Sequence, residues 1–131
     1  MSPIRMSRVE SAVRIIIDLH NAFNTRDLDK IQALFSEDIS FKDVLDGPEG
    51  VTYVGRRSVT QLIEDCFQNY PTAKLEQEEL SGFGNRAILR WKLKWESKTL
   101  DQNSIRGISL FLVRNVQVFD ILSYAPPQKG L

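Results

Sequence analysis

Residues 87–95 alternate one by one, with Trp91, Leu93 and Trp95 on one side and Arg90, Lys92 and Lys94 on the other. A period of two is the side-chain spacing of a β-strand, whose successive Cβ atoms point to opposite faces. The pattern predicts a half-buried strand, aromatic inward and cationic toward water. It also demands a sheet, because a lone strand or hairpin has no core to face. The second half of the chain supplies the partners. Residues 75–80 read as a polar strand with one exposed face, and Gly82-Phe83-Gly84-Asn85 as a turn. A polar turn over residues 97–103 leads to a strand over 105–113, a tight turn at Arg114-Asn115 and a last strand over 116–124. The 105–113 strand is apolar on both faces (Ile108, Leu110 and Leu112 against Phe111 and Val113), so both faces need cover. Helices are expected on one face, and a second copy of the chain on the other, making a homodimer through the outer sheet face. At the last hairpin, Asn115 tolerates positive φ but β-branched Val116 does not, which argues against a type I′ turn.

The first half carries helical periods instead. Val9, Val13, Ile16, Leu19 or His20, and Phe23 recur every three or four residues. A second stripe, Ala12, Ile15, Leu19 and Ala22, widens the apolar face and predicts a helix buried on more than one side. Asn24-Thr25-Arg26 ends it, and Asp27 is the expected N-cap of a short helix with apolar Leu28, Ile31, Leu34 and Phe35. Residues 39–43 alternate as a strand, an Asp-, Gly- and Pro-rich loop covers 46–50, and Tyr53-Val54 forms a short strand. Ser58 with Gln61 reads as the capping box of a third helix bearing Val59, Leu62, Ile63, Cys66 and Phe67, ended by Pro71. Helices followed by a run of antiparallel strands define an α+β domain, three helices on one face of a strongly curved antiparallel (mixed) sheet. No linker or repeat interrupts it. A single domain is expected over 1–131, with a core of about residues 9–125 and short tails.

Composition narrows the function classes. Lys plus Arg and Asp plus Glu cancel at 17 each, so no global field draws the chain to nucleic acid or to an anionic membrane. No apolar run approaches the roughly 20 residues of a membrane span, and the first residues lack the apolar core of a secretory signal. Cys66 is the single cysteine, which excludes an internal disulfide and fits a cytoplasmic protein. It reads as a small apolar helix residue rather than a catalytic thiol. One histidine and one cysteine argue against a zinc site, and no cofactor is expected.

Five local phrases carry a family resemblance: Asn24-Thr25-Arg26-Asp27-Leu28-Asp29, Ala33-Leu34-Phe35-Ser36-Glu37-Asp38, Tyr53-Val54-Gly55-Arg56, Arg106-Gly107-Ile108-Ser109-Leu110-Phe111 and Leu122-Ser123-Tyr124. In this order and spacing the chain resembles the SnoaL-like and ketosteroid-isomerase-like families of the nuclear transport factor 2 superfamily. The resemblance implies a cone-shaped fold whose mouth takes small molecules. It leaves the activity open, since such proteins include isomerases, cyclases, dehydratases, epoxide hydrolases and non-catalytic carriers.

Carried over by position, the general base of the isomerase falls on Asp43. Its oxyanion tyrosine falls on Leu19, which has no donor, and its protonated aspartic acid on Ser109, a weaker donor. Losing one oxyanion donor typically costs about 10²–10³ in rate, so the resemblance speaks against steroid isomerisation itself. It also implies that Trp91, Leu93 and Trp95 line the ligand site, and the same conical pocket would draw on Leu19, Leu62, Phe111 and Tyr124. Core packing is the competing role for the tryptophans and for Tyr124. His20 adjoins Leu19 but points roughly 100° away on a helix, and a single histidine does not suit a dehydratase of this fold. Arg106 alternates with Ser109 and belongs on the outer face. Two functions remain: an isomerase, cyclase or hydrolase acting on a small apolar molecule with Asp43 as base, or a non-catalytic ligand-binding or dimerisation module.

Overall fold

The computed structural model describes residues 3–99 and 101–126, with side chains described from Ala12 onward. Helix α1 (Pro3–Asn24) buries Ala12, Ile15, Ile16 and Ala22, so both expected stripes face the interior; Val9 lies outside the described side chains. The helix closes on a left-handed residue, Arg26 (φ 58°). Asp27 N–H reaches back to Ala22 O and Arg26 N–H to Phe23 O, the paired bonds that cap a helix C-terminus, usually around glycine. Asp27 then caps α2 (Leu28–Leu34) by accepting from Lys30 N–H. Phe35 was expected on this helix but is extended and opens strand β1 (Phe35–Asp43).

Strand β2 (Val51–Val54) leads into α3 (Arg56–Asn69). The Ser58 capping box does not form. Gly55, with φ 100°, stands at the N-cap with no side-chain bond, and Gln61 donates to Asp65 one turn further on. Strands β3 (Lys74–Phe83), β4 (Arg86–Glu96), β5 (Gln102–Arg114) and β6 (Gln117–Tyr124) complete one six-stranded sheet in the order β2-β1-β6-β5-β4-β3. Every neighbouring pair is antiparallel except β1 and β6. The sheet is thus mixed. It curls without closing around the helices, α1 lying against β3, β4 and β5 and α3 against β1 and β2.

Gly82 and Gly107 permit two close approaches. Gly82 belongs to β3, paired with Ala87, rather than to the turn expected there. A Cβ on it would stand 2.2 Å from Val13 Cγ2, so its absence lets α1 settle onto the strand. A Cβ on Gly107 would stand 2.3 Å from Trp91 Cζ2, so the indole lies flat across the facing strand.

The alternation of β4 is realised as read. Ala87, Leu89 and Trp95 are buried, while on the outer face Arg90 pairs with Glu79, Lys94 with Glu76 and Arg106 with Glu78. These pairs are solvent-exposed, and such pairs contribute little to stability. They do dress the edge strand β3 in charge, which discourages edge-to-edge association.

The last hairpin corrects an expectation. Asn115 and Val116 have φ of 53° and 55°, so both central residues adopt the left-handed region that a type I′ turn requires. The strand twist overrides the preference of Val116, whose side chain is 65% exposed. Left-handed backbone costs an L-residue about 1–2 kcal/mol, and glycine in exchange loses roughly 0.5–1 kcal/mol of chain entropy. Val116→Gly is therefore expected to raise stability by up to about 1.5 kcal/mol, seen as a higher urea midpoint at unchanged slope. A lower midpoint would show that Val116 is not strained.

Candidate functional site

Between the helices and the sheet lies a cavity of about 160 Å³. Interiors are normally packed to the density of organic crystals, so a void of this size stands out. Its walls come from α1 (Ile16, Leu19, His20, Phe23), from Ile31, Val59 and Ile63 on the other helices, and from Phe35, Phe41, Leu75, Leu89, Phe111 and Ile121 on the sheet. Twelve of these thirteen residues are apolar, and His20 is the exception. A cavity of about 150 Å³ with similar walls takes up benzene, so this one suits a single ring rather than a steroid.

Leu19 and Phe111 line the cavity as expected. Five other expected residues lie outside its walls. Leu62 is half-buried, and its neighbour Ile63 faces the space instead. Trp91 packs on Gly107 and donates from Nε1 to Ser109 Oγ at 2.9 Å. Trp95 is buried against the Tyr70 ring, with centroids 5.5 Å apart. Leu93 is half-buried and stands in register with Leu75, which does line the cavity. Tyr124 is 40% exposed on the outer face, beside Ile108. Its displacement has a local cause. Leu112 pairs with Asp120 but Val113 with Val118, so Phe119 is an extra residue in β6. One extra residue reverses the facing of everything beyond it. Val118, Ile121 and Ser123 are therefore the buried residues, and Tyr124 turns out.

Asp43 also lies outside the cavity, two residues beyond Phe41 on the same face of β1. Its Oδ1 is buried and meets no hydrogen-bond partner among the described residues. Burial raises the pKa of its carboxyl from the ordinary value and the nearby Asp46 charge adds to this, while the Leu45 N–H acts in the opposite direction. Asp43 stands in register with Ser123 on β6, and Ser123 in turn with Ser109 on β5. The two serine hydroxyls share a hydrogen bond of 2.6 Å, and both residues are buried. Asp43, Ser123, Ser109 and Trp91 thus form a polar row across β1, β6, β5 and β4. Ser109, the expected oxyanion donor, has its hydroxyl engaged by Trp91 and Ser123 and lines no part of the cavity. Ser123 was legible only as part of a closing phrase, because the β6 irregularity conceals which face it takes.

His20 is the wall residue that helix geometry had turned aside. Leu19 and His20 both reach the space because α1 is embedded on two sides. Its Nε2 lies 3.1 Å from Asn24 Nδ2, and its Nδ1 is buried with no partner among the described residues. Burial lowers its pKa from the ordinary 6.5, with the Leu75 carbonyl opposing that shift. Among the described residues no three His, Cys, Asp or Glu side chains converge as a metal site, and no helix is long and apolar enough to cross a membrane.

Three helices against a curled, unclosed six-stranded mixed sheet define an α+β fold of the nuclear transport factor 2-like class. The SnoaL-like domain model matches residues 16–121, and the chain belongs to that family. No curated protein matches the sequence. Solved structures agree on the fold. A nuclear transport factor 2-like protein of unknown function from Mesorhizobium loti is 24% identical, with a TM-score of 0.77 over 92% of this chain and 94% of that one. A protein from Kribbella flavida, provisionally named a ketosteroid isomerase, is 17% identical, with a TM-score of 0.76 over 96% and 85%. AclR from Streptomyces galilaeus, provisionally named a hydroxylase, is 16% identical, with a TM-score of 0.76 over 90% and 80%. These likenesses carry the architecture and not an activity.

The His20 shift has a definite sign. A base with a depressed folded pKa binds fewer protons folded than unfolded, so its contribution is complete above 6.5 and is lost as pH falls through the folded value. Asp43 and Asp120, both raised by burial, act in the opposite sense. The informative quantity is therefore the difference between wild type and His20→Phe. Wild type should lose stability relative to the variant between about pH 7 and pH 5 in urea titrations. A pH-independent difference would show that His20 is not desolvated.

Proposed function

We propose that this protein is cytoplasmic, binds a small, mostly apolar molecule in the central cavity and acts on it by acid–base chemistry, with Asp43 as general base. The cavity carries the proposal. A void walled by twelve apolar side chains is costly to leave empty and cheap to fill with an apolar ligand. Asp43 supplies the chemistry. Asp43 stands two residues beyond the wall residue Phe41 on the same face of β1, and it holds a buried carboxylate oxygen that no described residue satisfies. Its raised pKa brings it closer to the range in which a carboxylate base works best. The oxyanion side is weak, because Leu19 has no donor and Ser109 is engaged elsewhere. Modest proton transfer at carbon is favoured over demanding steroid isomerisation.

Exchange of the α-hydrogens of cyclohexanone with D2O, followed by NMR, tests this without a known substrate. Wild type should accelerate exchange over buffer and Asp43→Asn should lie near background, with affinity for the ketone changed less than about twofold. Equal acceleration by both proteins would remove Asp43 from the role. Binding with no acceleration by wild type would favour the alternative, a non-catalytic ligand-binding or dimerisation module.

The outer sheet face supports a homodimer. Ile88, Ile108 and Tyr124 are 44%, 42% and 40% exposed and adjoin one another and Leu110 and Leu122 through the β4-β5-β6 register. A contiguous exposed apolar patch of this kind marks an association surface. Light scattering at micromolar concentration should give twice the 15.0 kDa chain mass, and Ile108→Glu should halve it. A monomeric wild type would exclude the dimer.

A further inference from the structure

His20, the one wall residue that is not apolar, carries a buried ring nitrogen with no hydrogen-bond partner among the described residues. The orientation of the Asn24 amide is dictated by Leu75 on β3. The Leu75 backbone N–H can only donate, and it meets Asn24 Oδ1 at 2.8 Å; the Leu75 carbonyl can only accept, and it meets Asn24 Nδ2 at 2.9 Å. The amide therefore presents its other Nδ2 hydrogen to His20 Nε2 at 3.1 Å. A donor at that position makes Nε2 the acceptor. A neutral imidazole carries one proton, which must then reside on Nδ1. The Leu75 carbonyl also lies near the ring, but its aligned donor is the Asn24 amide. A protonated imidazole would set two donors against each other at Nε2, so the neutral form is the one that this arrangement accepts. The result is a buried N–H donor, unpartnered among the described residues, on a residue that lines an otherwise apolar cavity.

We propose that His20 Nδ1–H is the recognition donor of the cavity, selecting a compact one-ring apolar ligand that carries a single acceptor, a ketone or aldehyde oxygen. The inference rests on the cavity being a ligand site, as proposed above, and adds the chemistry that the site selects. The volume of 160 Å³ limits the ligand to about one ring. The other twelve wall side chains offer no acceptor and the nearby Leu75 carbonyl already accepts from Asn24, so an alcohol or amine finds no free side-chain partner for its own hydrogen, whereas a carbonyl brings only what Nδ1–H lacks. Asn24 is a positioning residue. It does not line the cavity, and it acts by holding the imidazole in the Nδ1–H tautomer.

Two measurements on the full chain test this. The first is 15N NMR of the imidazole at a pH above its titration, unambiguous because the chain has one histidine. Nδ1 should be protonated and Nε2 bare; a protonated Nε2 would overturn the assignment whatever the variants do. The second compares cyclohexanone with methylenecyclohexane, which replaces the carbonyl oxygen by a CH2 group of similar shape. The ketone-to-hydrocarbon affinity ratio should fall by about fivefold from wild type to His20→Phe. Hydrocarbon binding with an unchanged ratio would overturn the role of His20 while leaving the cavity a ligand site. Failure of wild type to bind either compound would overturn the cavity reading and this inference with it.

Discussion

The corner between α1 and α2 holds the architecture together. Asn24 uses both ends of its amide on the Leu75 backbone, an imitation of a β-bridge between a helix end and the start of an edge strand. Two residues later Arg26 donates to the carbonyls of Pro71 and Ala73 and lies over the Phe67 ring, 4.7 Å from its centroid. Lys74 adds a bond from Nζ to Asn24 O. Four segments, α1, α2, the end of α3 and β3, are thereby fixed at one place. Arg26 is left-handed there, which costs about 1 kcal/mol or more for a residue with a Cβ. Its bonds and ring contact explain why it is not glycine. Val116, equally left-handed, is 65% exposed and has no comparable compensation.

That corner also shapes the interior. With the end of α1 tied to β3, the helix is held across the inner sheet face, and the space between is walled by side chains from both without being filled. The same amide that makes the tie sets the proton of His20. One residue, Asn24, therefore both ties the fold and orients the side chain proposed for recognition. On the far side of the cavity the polar row is closed among Trp91, Ser109 and Ser123, leaving Asp43 as the member with an unsatisfied oxygen. The interior thus offers a donor at one place and a carboxylate at another, with apolar walls between.

Much of the fold was legible in the residues. The period of two in β4 and the 3.6-residue periods of α1 and α3 announced the elements and their inner faces, and Asp27 and Pro71 marked two boundaries correctly. The misreadings share a cause. Phe35, Ser58 and Gly82 each sit where a local preference was overridden by contacts with distant chain. The candidate site was less legible. Asp43, Leu19 and Phe111 were named, but Tyr124 was assigned to the wrong face because one extra residue in β6 cannot be seen as such in a short apolar run. The tryptophans were credited to the pocket, since a half-buried strand face does not announce whether it meets a ligand or a neighbouring strand. His20 was turned aside by its offset of roughly 100° from Leu19, although the two-stripe pattern of the same helix left room for both to face the interior.

By itself the sequence determined the order of the main helices and strands, the inner faces of α1, α3 and β4, and that the chain carries no net charge to draw it to a polyanion. Those properties follow from side-chain direction relative to the residue's own element, and periodicity encodes that directly. Only the tertiary structure decided which atoms meet. Asn24 finds Leu75 from 51 positions away, and Asp43 comes beside Ser123 through the parallel pairing of β1 and β6. Register between elements is set by packing, bulges and close approaches such as that of Trp91 to Gly107, and a shift of one residue reverses every face. The chemistry of this protein depends on those registers, so it became readable only in the folded chain.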